Sequence, residues 1–309
     1  MLSTFIRLGA ALSCAAMLCS CGGNSVAETQ QSTPEGIFTG QYKVTLTNQS
    51  VSPAVTEPVC TENVITFAVA TGSIYTFYPS TNNPAVLNAA DAGSLTFGGG
   101  AMSATLQEVI SPASVPGAGN SGSPYAAIAG NFSQLCDYFT GGIASANLTG
   151  AYNTGINIAG TLTFSGPDVN GWFNTTSVNN LTYDSDYQGV QSLSTLAGTY
   201  NGYVSTSQSA EPATFTIAPA SVPANAGSDL GVSVLTGTGA SGCTYTGSVS
   251  PLFKGNGYSV SMSSGPAPCK LPQTQFGGLI YLNTSTNILY SFAPNGGRSD
   301  GILFSGTRG

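Results

Sequence analysis

Apolar residues recur along this chain with a period of two. Tyr42, Val44 and Leu46 alternate with Lys43, Thr45 and Thr47, and Leu162 and Phe164 with Thr161 and Thr163. Tyr258, Val260 and Met262 alternate with Ser259, Ser261 and Ser263. Ile156 and Ile158 flank Asn157, and Phe215 with Ile217, Leu230 with Val232 and Val234, and Tyr245 with Val249 repeat the pattern. Successive side chains of a strand point to opposite faces, so the pattern predicts half-buried antiparallel strands, apolar toward a core and Ser/Thr toward water. Near the carboxy terminus, Leu279–Leu282 and Ile288–Phe292 flank the polar segment Asn283–Asn287, which predicts a hairpin whose first strand starts after Gly277-Gly278.

Many short strands without helical spacers predict an all-β protein of antiparallel β-barrel or β-sandwich units. Barrels are favoured because closure removes exposed strand edges. Forty glycines and seventeen prolines argue against long helices. Two short echoes point to two related units. Gly36-Ile-Phe38-Thr-Gly40 matches Gly198-Thr-Tyr200-Asn-Gly202, and Leu162-Thr-Phe164-Ser-Gly166 matches Ile302-Leu-Phe304-Ser-Gly306. The expected organisation is a signal peptide over residues 1–20, a tether over 21–35, a first β domain over 36–195 and a second over 196–309. Residues 187–197 form the connector, with one short helical turn.

The amino terminus carries Arg7 ahead of a mainly apolar run from Leu8 to Leu18, the layout of a cleaved export signal. That run is too short for a membrane-spanning helix, which needs about 20 residues. Leu18-Cys19-Ser20-Cys21 resembles the lipobox of bacterial lipoproteins. The resemblance implies that Cys21 is lipidated and becomes the first residue of a membrane-tethered mature chain. Gly22 in place of Asp implies, by the sorting rule of that family, the outer membrane. The polar stretch after Cys21 has a reach of roughly 20 Å as a flexible coil.

Composition narrows the function. Charged residues make up 6% of the chain, with thirteen acids against six bases and a net charge of −7. Arg7 would leave with the signal, and the remaining scattered bases cannot form the basic patch that nucleic acid requires. Three of the seven cysteines lie in the signal and lipobox. Cys60, Cys136, Cys243 and Cys269 remain, an even number that fits two disulfides in an oxidising compartment. Three pairings are possible. Cys60–Cys136 and Cys243–Cys269 are preferred because each stays within one half of the chain. A zinc site is disfavoured, since there is no CxxC spacing and no histidine.

The absence of histidine also removes Ser-His-Asp and Cys-His nucleophile systems. Gly297-Arg-Ser299-Asp-Gly301 matches a nucleophile-elbow pattern but lies too near the end for the helix that an elbow needs, so it reads as a turn. No paired carboxylates sit in a glycosidase motif. The densest acidic spot, Asp184 and Asp186 between Tyr183 and Tyr187, is a candidate Ca²⁺ position. Calcium takes about six to eight oxygens, however, and the pair reads first as a solvated turn. The lone Trp172 reads as core before ligand stacking.

The segments Tyr183–Tyr203, Gly242–Pro251 and Arg298–Thr307 resemble a family of uncharacterised proteobacterial lipoproteins, and more distantly the transferrin-binding-like surface lipoproteins with small lipidated β-barrels. The resemblance covers mainly the second half. It implies a lipid-anchored barrel protein and carries over no activity. The expected function is a non-catalytic, outer-membrane-anchored binding or interaction scaffold without a cofactor. Its partner is expected to be the membrane through its lipid, together with an envelope or extracellular protein or a small ligand. The alternatives are a carrier of a small apolar ligand and a glycosidase-like enzyme.

Overall fold

The computed structural model describes residues 34–48, 55–80, 83–111, 142–165, 172–189, 192–219, 231–252 and 254–309. These build two closed antiparallel barrels of eight strands each. The first comprises β1 (Gly36–Asn48), β2 (Val55–Ala68), β3 (Ser73–Pro79), β4 (Leu87–Gly98), β5 (Ala101–Ile110), β6 (Gly142–Asn153), β7 (Asn157–Ser165) and β8 (Trp172–Asp184). The second comprises β9 (Gly198–Ser205), β10 (Ala210–Ile217), β11 (Ser233–Gly239), β12 (Thr244–Pro251), β13 (Tyr258–Ser264), β14 (Gln275–Asn283), β15 (Ile288–Pro294) and β16 (Gly301–Arg308). Each strand pairs with its sequence neighbours. β1 closes on β8 and β9 closes on β16.

The alternation explains both the closure and the low charge. Along β13, Tyr258, Val260 and Met262 are buried in the lumen while Ser259 and Ser261 face water. The outer faces carry ladders of neutral hydrogen-bonding side chains, such as Thr199 with Thr216, Thr246 with Ser263, and Thr105 with Asn147. Such cross-strand pairs support neighbouring strands without ionic groups. At the β9–β16 seam, Gly202 stands opposite Gly306. A Cβ on Gly202 would lie 1.9 Å from the Ser305 carbonyl oxygen, so closure of this barrel needs glycine there.

Four sequence expectations are corrected. Ile156 lies in the turn between β6 and β7, 64% exposed, and the strand starts at Asn157. On β11 the parity is reversed: Ser233 and Leu235 are buried, whereas Val232 and Val234 are about half exposed. The cause is crowding in the lumen, where the Phe215 ring already fills the space over Gly237 and packs 4.3 Å from Phe304. Gly237 on that face of β11 makes room for it. The Asn283–Ile288 hairpin is present, but β14 begins at Gln275, ahead of the glycine pair. Finally, the Gly-x-aromatic-x-Gly echo opens the first strand of each barrel, while the Leu-x-Phe-Ser-Gly echo falls on a seventh strand and an eighth and so marks no equivalent position.

The segment between the barrels is more than a connector. It folds as a 3-10 turn (Ser185–Gln188) and a single helical turn, α1 (Leu193–Leu196), capped by the Ser192 side chain. Leu193 and Leu196 join the core of the second barrel, where Tyr200 donates a 2.6 Å hydrogen bond to the Leu196 carbonyl. An apolar seam joins the barrels. Phe67, Phe77 and Ala90 on the outer face of β2–β4 pack with Tyr281, Tyr290 and Leu303 of β14–β16. Hydrogen bonds cross it from the Tyr290 hydroxyl to the Pro84 carbonyl (2.8 Å) and from the Ser305 hydroxyl to the Ala85 carbonyl (2.9 Å). At its rim, Glu35 accepts from the Tyr187 hydroxyl (2.6 Å) and pairs with Lys254 at 3.7 Å.

Candidate functional site

Among the described residues, those singled out from sequence do not converge. Cys21 and Cys136 lie outside the described residues, as does the side chain of Cys60, whose backbone on β2 stands opposite Val44. Cys243 and Cys269 form a disulfide with Cα atoms 4.6 Å apart, tying the β11–β12 turn to the β13–β14 connection. Closing a loop of that length contributes about 3.5 kcal/mol on the chain-entropy account. Asp184 accepts from the Asp186 backbone N–H at 2.9 Å and so caps the 3-10 turn. Among the described residues, no third acid or cysteine joins these two as a metal group. The Trp172 side chain lies outside the described set. Ser299 sits in a turn held by Asn295, whose side-chain oxygen accepts from the Ser299 backbone N–H. The adjoining Asp300 is buried and accepts from the Ser207 backbone and hydroxyl, joining two loops of the second barrel.

The concentration of chemistry lies instead inside the first barrel. Thr66 on β2, Thr76 on β3, Asp91 on β4 and Glu108 on β5 stand opposite one another in register across four adjacent strands. Each alternates with a core residue on its own strand, so all four face the lumen. The Thr66 and Thr76 hydroxyls lie 3.5 Å apart. Tyr78, one lumen position along β3 from Thr76, donates a 2.7 Å hydrogen bond to Asp91 Oδ2, and its ring meets that of Tyr42 edge-on at 5.9 Å. Register is perpendicular to the strands, and barrel strands tilt by about 40°. The belt therefore climbs obliquely through the lumen.

Asp91 is completely buried, and its second oxygen, Oδ1, has no hydrogen-bond partner. Burial raises its pKa to about 7, against the opposing effect of the hydrogen bonds from Tyr78 and Thr76, which favour the charged form. Burial also pushes the Tyr78 hydroxyl well above its ordinary value, reinforced by the charges of Asp91, Tyr42 and Glu108. Tyr78 thus stays a donor at any physiological pH. Glu108, directly opposite Asp91, is 7% exposed. Cross-strand neighbours have Cβ atoms about 5 Å apart. The arrangement is a pair of acids among apolar and aromatic side chains, with one oxygen of Asp91 buried without a hydrogen-bond partner.

Sequence reasoning missed this pair, although a signal was present. Gly99-Gly100 is a two-residue turn with φ of +60° and +83°, conformations that favour glycine in a tight hairpin. Counting equally outward from that turn brings Asp91 to Glu108.

Among its described residues, the second barrel has no such pair of acids facing each other across a ladder. Tyr200, Phe215, Tyr245, Tyr258, Phe276 and Phe304 fill its lumen. A cavity of about 10 Å³ remains near the disulfide, lined by Val204, Tyr245, Ser264 and Cys269 among others, with room for about one water. No protein-family model matches the chain, and no curated protein shows significant sequence similarity to it.

Proposed function

We propose that the protein is an envelope lipoprotein, anchored through Cys21 in the outer membrane, whose two-barrel body is a non-catalytic binding scaffold. The observation that carries the binding role is the acid pair within the first barrel, where Asp91 is completely buried opposite Glu108 and one of its oxygens has no hydrogen-bond partner. The Cys243–Cys269 disulfide supports export, since such bonds persist in oxidising compartments. A carrier of an apolar ligand finds less support, because the second lumen is filled and the first is crossed by polar groups.

Labelling cells with a palmitate analogue tests the anchor. Incorporation is expected in the wild type and not in Cys21→Ser, and equal labelling of both removes the anchor from this reading. Affinity capture from envelope extract tests the scaffold role and is expected to recover a specific partner.

The opposed Asp91 and Glu108 favour one second reading, a hydrolase working with two carboxylates. Glycoside turnover that Glu108→Gln abolishes would establish it. The complete burial of Asp91 weighs against it, since a substrate must reach both acids.

A further inference from the structure

We propose that the rim of the first barrel at which the chain enters is a membrane-contact surface on its β4–β7 side, where Ile156 seats in the headgroup region of a phospholipid bilayer. The inference rests on the reading of Cys21 as the lipid anchor and adds how the anchored body stands on the membrane.

The argument begins where the polypeptide enters the barrel. Glu35 precedes β1, and β1 pairs Gly36 with Ala68 and Ile37 with Asp184. The entry therefore lies at the rim made by the β2–β3, β4–β5 and β6–β7 turns and the end of β8. Ile156 is on the same rim, where its carbonyl accepts from the Tyr183 backbone N–H. Glu35 is held there: its backbone nitrogen lies 3.4 Å from the Tyr152 hydroxyl, and its carboxylate accepts from Tyr187 and pairs with Lys254.

Glu35 is the fourteenth residue after Cys21. A flexible coil of that length reaches roughly 20 Å. β8 spans 13 residues. At a rise of about 3.4 Å per residue and a tilt of about 40°, the two rims stand about 30 Å apart. An anchor at Cys21 thus keeps the entry rim near the lipid. The β1–β2, β3–β4, β5–β6 and β7–β8 connections leave from the other rim and face away from the bilayer.

The chemistry of the β4–β7 side fits a lipid surface. Residues 94–107 and 142–165, from its two hairpins, contain no Asp, Glu, Lys or Arg. The chain as a whole carries a net charge of −7, so anionic headgroups repel its acidic faces and spare this neutral one. At the tip of the β6–β7 turn, Ile156 is more exposed than any other large apolar side chain among the described residues. The neighbouring hairpin brings Leu95 and Phe97, both half-buried, to the same mouth. The acids of this rim lie on its other side: Glu35 is paired with Lys254, and Asp184 caps the turn that carries Asp186 toward the second barrel. One exposed isoleucine is ordinary on a free protein. On a tethered one the contact is intramolecular, so a weak affinity suffices.

Trp172, the sole tryptophan, opens β8 at the far rim, opposite Asn48, and serves as the internal control. The mature acylated protein is reconstituted into phosphatidylethanolamine–phosphatidylglycerol vesicles with and without brominated acyl chains, which quench indoles close to them. Wild-type emission is expected to be the same in both. Ile156→Trp alters an exposed turn outside the core. It should lose about half of its emission to bromine, the share of an indole seated about 5–10 Å into the interface. Emission of Ile156→Trp that bromine leaves intact, or equal fractional quenching of the wild type, overturns the proposal. Flotation of the same vesicles separates this result from the anchor. Protein that floats unquenched refutes the orientation alone, and protein that does not float refutes the anchor and the orientation together.

Discussion

The two barrels share a strand number, a meander topology and an interior rich in aromatic rings, yet they differ in the polar groups that they bury. The second is built from strands of seven to nine residues and closes around six large aromatic rings. The first uses strands of up to fourteen residues, lines its lumen partly with alanine, and runs an oblique belt of Thr, Asp and Glu across four strands. Strand number fixes the diameter of a barrel. The side chains on the inward positions decide what fills that diameter: rings in both barrels here, joined in the first by a belt of Thr, Asp and Glu. Variants in the two barrels should therefore respond differently to acidity.

The largest effect is expected in the packed lumen. Phe304 is fully buried and lies 4.3 Å from Phe215, which in turn stacks on Tyr245 at 5.3 Å. Phe304→Ala should cost about 3–5 kcal/mol in urea unfolding, because the cluster cannot collapse into the space left. A loss below about 1 kcal/mol would mean that the second lumen is not tightly packed.

Acidity should act through the other barrel, and on a nearly equal scale. Asp91 has a folded pKa of about 7 against an ordinary 3.8, so the folded state keeps a proton that the unfolded chain releases over that interval. The contribution is fully present below about pH 4, falls as pH rises, and levels off above about pH 7. Over three units it amounts to at most about 4 kcal/mol. Urea midpoints from pH 4 to 8 should therefore fall more steeply for the wild type than for Asp91→Asn, whose side chain cannot ionise. Parallel profiles would show that the carboxyl is not buried as described.

The comparison can be sharpened by overfilling both lumens with the same change. Ala293 lies on β15 in the second barrel, where even the Cβ that Gly278 lacks would sit 2.7 Å from its Cα. Ala293→Leu should cost about 1–3 kcal/mol, as overpacking does. Ala104→Leu, on β5 of the first barrel, should cost about the same, since Ala104 is buried in a core that also holds several rings. A cost below about 1 kcal/mol in thermal melts for Ala104→Leu alone would show that the first lumen is the looser of the two.

These features were unequally legible in the sequence. The strands of the second barrel were readable where three large apolar residues alternate with serines, as in β13, because a single parity satisfies such a run. β11 was misread because Val-Ser-Val-Leu is compatible with either parity, and the choice was made by a ring on β10 that lies far from it in sequence. The Asp91–Glu108 pair eluded residue-by-residue inspection because it exists only through register. Asp91 is flanked by alanines and Glu108 lies next to Val109, so neither belongs to a motif. The glycine turn between their strands fixes the pairing, and a search for hairpins before a search for motifs would have found it.

The smallest expected effect concerns what makes the comparison one within a single body. Tyr290 stacks nearly parallel to Tyr281 at 6.4 Å in the seam and donates to the Pro84 carbonyl across it. Tyr290→Phe keeps the ring and deletes the donor, so the loss should be that of one hydrogen bond, about 1 kcal/mol. The Glu35–Lys254 pair at the rim should matter less, since Lys254 is 60% exposed and solvent-exposed ion pairs contribute little. Unfolding followed both by the fluorescence of Trp172, in the first barrel, and by far-ultraviolet dichroism distinguishes two outcomes. If the seam couples the barrels, both signals of Tyr290→Phe shift together by the same small amount. If they separate into two transitions, each barrel is stable alone, and the aromatic contacts between them do no more than orient one barrel against the other.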